Sequence, residues 1–144
     1  MRLLLDTCVV SELTRPRPSQ AVLDWFAAQD EQELFLCALS IGEIQMGIEL
    51  LAPGKRKDYL TAWLGHGIIP RFAGRILSLD VPVLLDWGRV VAPVRKSGSV
   101  PPVPDSLIAA CAIHHEMSLV TRNEADFANL GLRVVNPWRL TTQA

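Results

Sequence analysis

Cysteine is scarce in this sequence, and the arrangement of its three copies excludes two classes of protein. Cys8, Cys37 and Cys111 are odd in number, lie far apart and form no CxxC pair. A small disulfide-stapled domain needs paired cysteines, and a structural zinc site needs Cys and His at short spacing. Because neither pattern is present, each cysteine is predicted to be a buried free thiol.

The sequence also has no long apolar run and no large excess of positive or negative charge. No stretch approaches the roughly 18–20 residues of a membrane span, and an N-terminus with an acid at position 6 is not a signal peptide. We therefore expect a cytoplasmic protein with no membrane association. The net charge of −1, from 14 basic and 15 acidic residues, does not favour a nonspecific DNA coat. Nucleotide-binding glycine motifs and the GxSxG motif of acyl transfer are absent as well.

The chain does contain a regular alternation of strand and helix signals. Its 144 residues, 49% of them apolar, predict a single domain over residues 1–144 with one packed core. Strands separated by helices predict βαβ units, and hence an α/β fold with a mainly parallel sheet and helices on both faces. The predicted strands are residues 3–5, 34–38, 75–79, 119–121 and 133–135. The main predicted helices are residues 8–13, 40–51, 55–64, 82–96, 106–117 and 124–130, with another after position 19.

Local capping patterns predict where several of these helices begin. Ser19 fits an N-cap, Ser40 and Glu43 form an S-x-x-E capping box, and Asp105 is placed to cap the helix that follows it. Three further residues are predicted to end or kink helices: Gly65, Gly67 and Pro93.

Four acids lie close to predicted element boundaries. Asp6 directly follows the first strand, Glu43 and Asp105 fall at helix starts, and Asp126 lies just beyond Asn123 in a short helix. Each acid has a structural alternative. Asp6 and Asp105 fit N-caps, Glu43 fits the reciprocal half of a capping box, and Asp126 fits the positive end of a short helix.

Their joint placement favours a different interpretation. Ligands bind at the carboxyl ends of strands in open α/β sheets, and three or four carboxylates meeting there repel one another unless protonated or bound to metal. Oxygen ligands without cysteine or histidine favour Mg²⁺ or Mn²⁺ over zinc. Such a site suits hydrolysis of a phosphodiester bond by metal-activated water.

The sequence resembles the PIN-domain ribonucleases of the VapC and FitB type. Residues 4–13 are similar to the opening motif of that family, with its aspartate after a short strand. Residues 40–47, 104–112 and 119–127 resemble its second, third and fourth motifs in order, and residues 136–138 resemble its frequent ending. The resemblance covers nearly the whole chain.

This resemblance implies a three-layer α/β/α PIN fold and Mg²⁺- or Mn²⁺-dependent cleavage of RNA. By motif, Asp6, Glu43 and Asp105 carry over as the metal-binding acids. Asn123 stands where many members have a fourth acid. Two alternatives stay open there: Asp126 substitutes one helical turn on, or three acids suffice and Asn123 hydrogen-bonds the metal's water. Cys8 stands where the family often has asparagine, and a thiol is a weaker donor.

The resemblance also implies the toxin half of a toxin–antitoxin pair, dimerised and held inactive by a VapB-like antitoxin that supplies the contacts to DNA. The alternative is a catalytically weak PIN-fold binding module that acts with its antitoxin in DNA-bound autoregulation. A phosphatase is disfavoured because the chain lacks a second aspartate two positions after Asp6. The Trp-bearing segment of residues 55–69 is predicted either to line a groove for the antitoxin or to pack in the core.

Overall fold

A parallel five-stranded sheet forms the centre of the molecule, as seen in a computed structural model that describes residues 1–139. Residues 140–144, the end of the predicted domain, lie outside the described residues. The strand order is β3-β2-β1-β4-β5, and Leu4 of the central strand pairs with Phe35 on one side and Leu119 on the other. The strands are β1 (Leu3–Leu5), β2 (Leu34–Cys37), β3 (Ile76–Leu77), β4 (Ser118–Val120) and β5 (Val134–Val135).

Eight α-helices connect and cover the strands within the described residues. Within that same part of the chain, no helix is long and apolar enough to cross a membrane. The helices are α1 (Thr7–Glu12), α2 (Gln20–Ala27), α3 (Ala38–Glu49), α4 (Lys55–Ala62), α5 (Ile69–Arg71), α6 (Val81–Lys96), α7 (Val103–His114) and α8 (Glu124–Phe127).

The sheet separates two hydrophobic clusters, which confirms the predicted α/β/α layering. Successive side chains of a strand point to opposite faces. Leu3 and Leu5 accordingly pack into a cluster with residues of α1, α2 and α3, whereas Leu4 packs into a second cluster with residues of α6 and α7. Because β1 is central and covered on both faces, its three leucines are all buried, as the uninterrupted apolar run predicts.

Two of the predicted helix caps are wrong. Helix α3 begins at Ala38, so Ser40 and Glu43 lie within the helix and form no capping box. Helix α7 begins at Val103, which makes Asp105 its third residue rather than its N-cap. Both helices begin before the polar residue that was predicted to cap them. Their N-caps are Cys37 and Pro102, which end the preceding extended segment and make no side-chain capping bond.

Glycine and proline interrupt the helices less than predicted. After α4 the chain continues without a break as a π-helical turn (Trp63–Ile68) into α5, so Gly65 and Gly67 lie inside helical backbone. Leu64 and Ile68 are both buried and anchor this segment in the core. Their packing outweighs the low helix propensity of the two glycines. Pro93 does not shorten α6, which runs on to Lys96. The N-cap prediction at Ser19 is confirmed.

Candidate active site

Asp6 lies at the carboxyl end of the central strand and is held in place by three donors. Its backbone N–H donates to Val120 O of the neighbouring strand. Its Oδ1 accepts the N–H of Thr7 at 2.8 Å, and its Oδ2 accepts the hydroxyl of Thr121 at 2.7 Å and the thiol of Cys8 at 3.6 Å. The carboxylate is buried, so these bonds offset the loss of water. Oδ1 keeps a free lone-pair direction, while Oδ2 is already engaged twice.

Asp6 is also the N-cap of α1, as its structural alternative predicts. The two roles are compatible, because a single N–H bond to Oδ1 leaves the carboxylate charged and able to take a further ligand. The capping interaction therefore fixes the direction of the side chain at the edge of the sheet.

Thr7 links Asp6 to Glu43. Its Oγ1 lies 2.7 Å from Glu43 Oε1 and 2.8 Å from Ser40 Oγ. A hydroxyl has one proton and a carboxylate can only accept, so that proton goes to Glu43, and Ser40 is left to donate to Thr7. Ser40 is buried one turn before Glu43 on α3. The position of Glu43 inside α3, rather than at a cap, is what brings its carboxylate to Thr7.

Asp105 faces the other acids from the first turn of α7. Its pKa is raised to about 6, first by partial burial and then by the negative charges of Asp6, Asp126 and Glu43. The side chain accepts no hydrogen bond from any residue in the described part of the chain, so nothing there offsets this repulsion. Asp6, Glu43 and Asp126 therefore lie near enough to Asp105 for their charges to act on its carboxyl group.

Asn123 and Asp126 differ in what they contribute. The backbone N–H of Asn123 donates to Thr121 Oγ1 at 3.1 Å, so this residue helps to orient the hydroxyl that holds Asp6. Its side chain makes no hydrogen bond with residues 1–139. Asp126 is exposed, and its charge reaches Asp105. Of the two candidates for the fourth position, Asp126 is thus the one that acts on the other acids through its side chain.

Cys8 contacts the site as its place in the sequence predicts. Its thiol donates to Asp6 Oδ2 and lies 3.7 Å from Thr121 Oγ1. Burial, followed by the charge of Asp6, raises the thiol pKa to about 11. The group therefore stays protonated at neutral pH and remains a donor, although at a distance typical of a weak one.

The donor set fits a hard divalent cation held partly through water. All the acids offer carboxylate oxygens, which Mg²⁺ and Mn²⁺ prefer. Among residues 1–139, no three His, Cys, Asp or Glu side chains are arranged to hold one metal ion directly. Mg²⁺ commonly keeps several waters and takes only one or two carboxylates directly, so it does not require an all-protein cage.

Three residues that position the acids were not identified from the sequence: Thr7, Ser40 and Thr121. Thr121 directly follows a buried strand and Thr7 stands one residue further from its own, and a hydroxyl at the end of a strand was the available signal. Thr121 is fully buried and lies 115 positions from Asp6, so only the pairing of β1 with β4 reveals their contact. Ser40 was assigned to a capping box that does not form.

Beside Glu43 lies an open cleft between α1, α3 and α4, here called the Trp63 cleft. Its volume is about 210 Å³. Leu60 and Trp63 pack against the core with one side, as one interpretation of residues 55–69 predicts, and line this cleft with the other. A groove for the antitoxin stays a prediction. Other lining residues are Thr7, Ser11, Glu43 and Ile44.

Comparison with known proteins agrees with this fold. The chain matches the PIN domain family over residues 3–132. It therefore belongs to the PIN domain family.

Its relatives within that family are of the VapC and FitB type. Plasmid stability protein StbB of Pseudomonas syringae pv. tomato is 38% identical over 136 residues, which span 94% of this chain and 98% of that protein. VapC ribonuclease Y4jK of Sinorhizobium fredii is 35% identical over 94% of this chain and 97% of its own length. A chain in the structure of FitAB bound to an IR36 DNA fragment superposes with a TM-score of 0.92, at 34% identity over 99% of both chains.

Proposed function

We propose that this protein is a Mg²⁺- or Mn²⁺-dependent endoribonuclease and the toxin of a type II toxin–antitoxin pair, active in the cytoplasm. The observation that carries the proposal is the placement of Asp6 at the carboxyl end of β1, where Thr7 joins it to Glu43 and where the charges of Asp6, Glu43 and Asp126 act on Asp105. The relation to a VapC ribonuclease supports RNA as the substrate. We assign metal binding to Asp6, Glu43 and Asp105, at least one of them through a bound water, with Asp126 and Asn123 completing the catalytic group.

Each residue has a task that its contacts define. A bound cation would supply the positive charge that polarises a phosphoryl oxygen and activates water. Thr7, Thr121 and Cys8 keep Asp6 Oδ1 directed at the site, and Thr7 holds Glu43 beside it. Asp126 is exposed and accepts no side-chain hydrogen bond within residues 1–139, so it is free to orient water or take its proton.

Cleavage of RNA by the purified protein tests this assignment. We expect cleavage with Mg²⁺ or Mn²⁺, its loss with EDTA, and a fall of at least about 100-fold in Asp6→Ala, because a general acid–base or metal site contributes on that order. Asp24→Asn, which changes an exposed acid of α2, is the matched control and should cleave normally. Metal-independent cleavage, or full activity in Asp6→Ala, would sink the proposal.

The catalytically weak binding module is the second candidate, and Cys8 and Asn123 are its motivation. Titration of Mn²⁺ into the antitoxin-free protein by calorimetry separates the two. Heat of binding that disappears in Asp6→Asn supports the nuclease. No binding at all in the wild-type protein, together with intact binding of the antitoxin, would favour the module.

We further propose that the protein forms a homodimer and binds a VapB-like antitoxin, with DNA contacted only through that partner. The structural similarity to FitAB bound to DNA supports this assembly. We assign the Trp63 cleft to an apolar helix or tail of the antitoxin, because its wall is apolar and it opens beside Glu43.

Trp63→Ala tests the cleft. Since buried tryptophans often dominate binding energy, antitoxin affinity should fall about tenfold or more. Tyr59→Ala, an exposed aromatic of α4 that does not line the cleft, is the control and should bind normally. Unchanged affinity in a folded Trp63→Ala protein would leave the cleft without this role. Sedimentation of the free protein and of the complex measures the dimer directly.

A further inference from the structure

A stacked arginine and tryptophan lie at the edge of the acid site. The guanidinium Cζ of Arg122 is 5.3 Å from the ring centroid of Trp138. Arg122 is exposed and Trp138 is partly exposed. The preceding residue is Thr121, which donates to Asp6, so the arginine stands one residue from the side chain that holds the central acid. We refer to Arg122 and Trp138 together as the Arg–Trp pair.

The backbone places this pair beside the acids rather than elsewhere on the surface. Arg122 follows β4, and the carboxyl ends of parallel strands share one edge of the sheet. The thiol of Cys8, which donates to Asp6, also lies 3.7 Å from the hydroxyl of Thr121, the residue before Arg122. The arginine therefore follows directly after a residue that contacts the first acid.

Trp138 is anchored, so the platform under the arginine is rigid. Its backbone N–H donates to Asn136 Oδ1 at 3.0 Å. Asn136 is buried and donates through Nδ2 to Glu124 Oε2, which ties the segment to α8. Stacking on an aromatic ring limits the rotamers of an arginine without neutralising its charge.

Arg122 differs from Arg139 in its ion pairing. Within residues 1–139 no carboxylate lies within ion-pair distance of it, whereas Arg139 on the same edge pairs with Glu124 at 3.4 Å. A phosphodiester that approaches four carboxylates is repelled, and a bound divalent cation offsets only part of that charge. A preoriented guanidinium with its outer face and edge open supplies the complement, since its fork matches phosphate oxygens.

We propose that Arg122, held on Trp138, binds a backbone phosphate of single-stranded RNA next to the cleaved bond and so positions the strand across the acids. The inference rests on the proposed nuclease function for its biological meaning. A phosphate contact carries no sequence information, so its contribution is to affinity and register and not to the choice of cleavage sequence.

Binding of a fluorescein-labelled, mixed-sequence single-stranded RNA tests the proposal without catalysis. Anisotropy is measured in EDTA over a series of NaCl concentrations, with the full-length protein. Arg122→Gln should weaken binding about tenfold and reduce the slope of log K against log[NaCl] by about 0.7, the value for one lost phosphate contact to a single strand.

Three further variants separate charge from geometry. Arg122→Lys should keep the slope but lose several-fold in affinity, because the charge remains and the fork is lost. Trp138→Leu should also keep the slope and lose affinity, because the arginine is no longer held. Arg133→Gln is the matched control: Arg133 is an exposed arginine that precedes β5, at the opposite edge of the sheet, and its removal should leave both quantities unchanged.

The outcomes distinguish this inference from the proposed function. Unchanged affinity and slope in Arg122→Gln would overturn it, even if the wild-type protein cleaves RNA. Wild-type protein that binds RNA through Arg122 but never cleaves it with Mn²⁺ would instead contradict the nuclease. No measurable RNA binding by the wild-type protein would overturn the inference. So would a tenfold loss of antitoxin affinity in Arg122→Gln with RNA binding intact, which would make the pair a partner surface.

Discussion

The two halves of the acid site are built differently. Asp6 and Glu43 receive hydrogen bonds from Thr7, Thr121 and Cys8, so their carboxylates are directed and their charge is partly compensated. Asp105 and Asp126 receive none from the described residues, and the pKa of Asp105 is raised by burial and by the neighbouring acids. Asp6 and Glu43 are thus preorganised, whereas Asp105 and Asp126 are electrostatically unfavourable as long as no cation is bound.

This difference shows how a protein can fold with an acid cluster in it. The buried carboxylate, Asp6, has three donors, and the carboxylates that lack donors, Asp105 and Asp126, lie where water still reaches them. The repulsion that is not offset by hydrogen bonds therefore acts on partly exposed carboxylates, where solvent screens it. Binding of the proposed divalent cation would then remove a repulsion without having to rearrange Asp6.

Thr121→Val is the substitution that should disturb the preorganised half most. It removes the hydroxyl that donates to buried Asp6 and keeps the shape of the side chain. We expect the free energy of unfolding to fall by about 1–3 kcal/mol, the cost of leaving a buried acceptor with fewer partners. Chemical denaturation measures this, and Thr121→Ser should recover most of the loss.

A double-mutant cycle identifies the cause of that loss. In the Asp6→Asn background the charge that needs the hydroxyl is gone, so Thr121→Val should cost clearly less than in the wild-type protein. An equal loss of stability in both backgrounds would mean that the threonine stabilises the fold by packing alone. The claim that its hydroxyl supports the Asp6 carboxylate would then be wrong.

Asp105→Asn should change the free energy of unfolding in the opposite direction and stabilise the metal-free protein. The folded-state pKa of Asp105 is raised from 3.8 to about 6, so the folded protein binds this proton more tightly than the unfolded chain. The resulting stabilisation is fully present below pH 3.8 and is lost as the pH rises through about 6. Above that pH, Asp105→Asn should be the more stable protein by about 0.5–1 kcal/mol, a value reduced for solvent screening.

Thermal unfolding at pH 4.5 and pH 7.5, in EDTA and in Mn²⁺, checks this sign. Asp105→Asn should be more stable than wild type at pH 7.5 in EDTA. In Mn²⁺ the wild-type protein should be the more stable one, because its charged carboxylate is then a ligand. Glu49→Gln, an exposed acid at the end of α3, is the control. A variant that is less stable than wild type at pH 7.5 in EDTA would show that Asp105 is compensated after all.

Cys8→Ala should give the smallest effect. The lost bond is a thiol contact of 3.6 Å to an oxygen that Thr121 already engages, so we expect about 0.5 kcal/mol or less in stability. Cys8→Ser keeps a donor and should retain cleavage activity within about twofold, which a parallel assay measures. If Cys8→Ala cost as much as Thr121→Val, the thiol would be a principal support of Asp6.

The order of strands and helices was predictable because apolar runs and polar breaks are local signals. Residues 3–5 and 34–37 became buried strands as predicted, and Ser19 caps α2. The predictions failed where two local signals competed. Ser40 and Glu43 match a capping box, yet α3 starts at Ala38 because the chain turns into helix directly after β2. Gly65 and Gly67 read as breaks, but burial of Leu64 and Ile68 keeps the backbone helical.

The sequence by itself determined which acids the protein has, their order, and that Asp6 ends a buried strand, because these depend on residue type and on neighbours along the chain. Tertiary structure alone decided that Thr121 supports Asp6, that Thr7 joins Asp6 to Glu43, and that Asp105 has no donor among residues 1–139. Those contacts join residues far apart in the chain. They exist only because parallel pairing of β1 with β2 and β4 brings three strand ends to one edge.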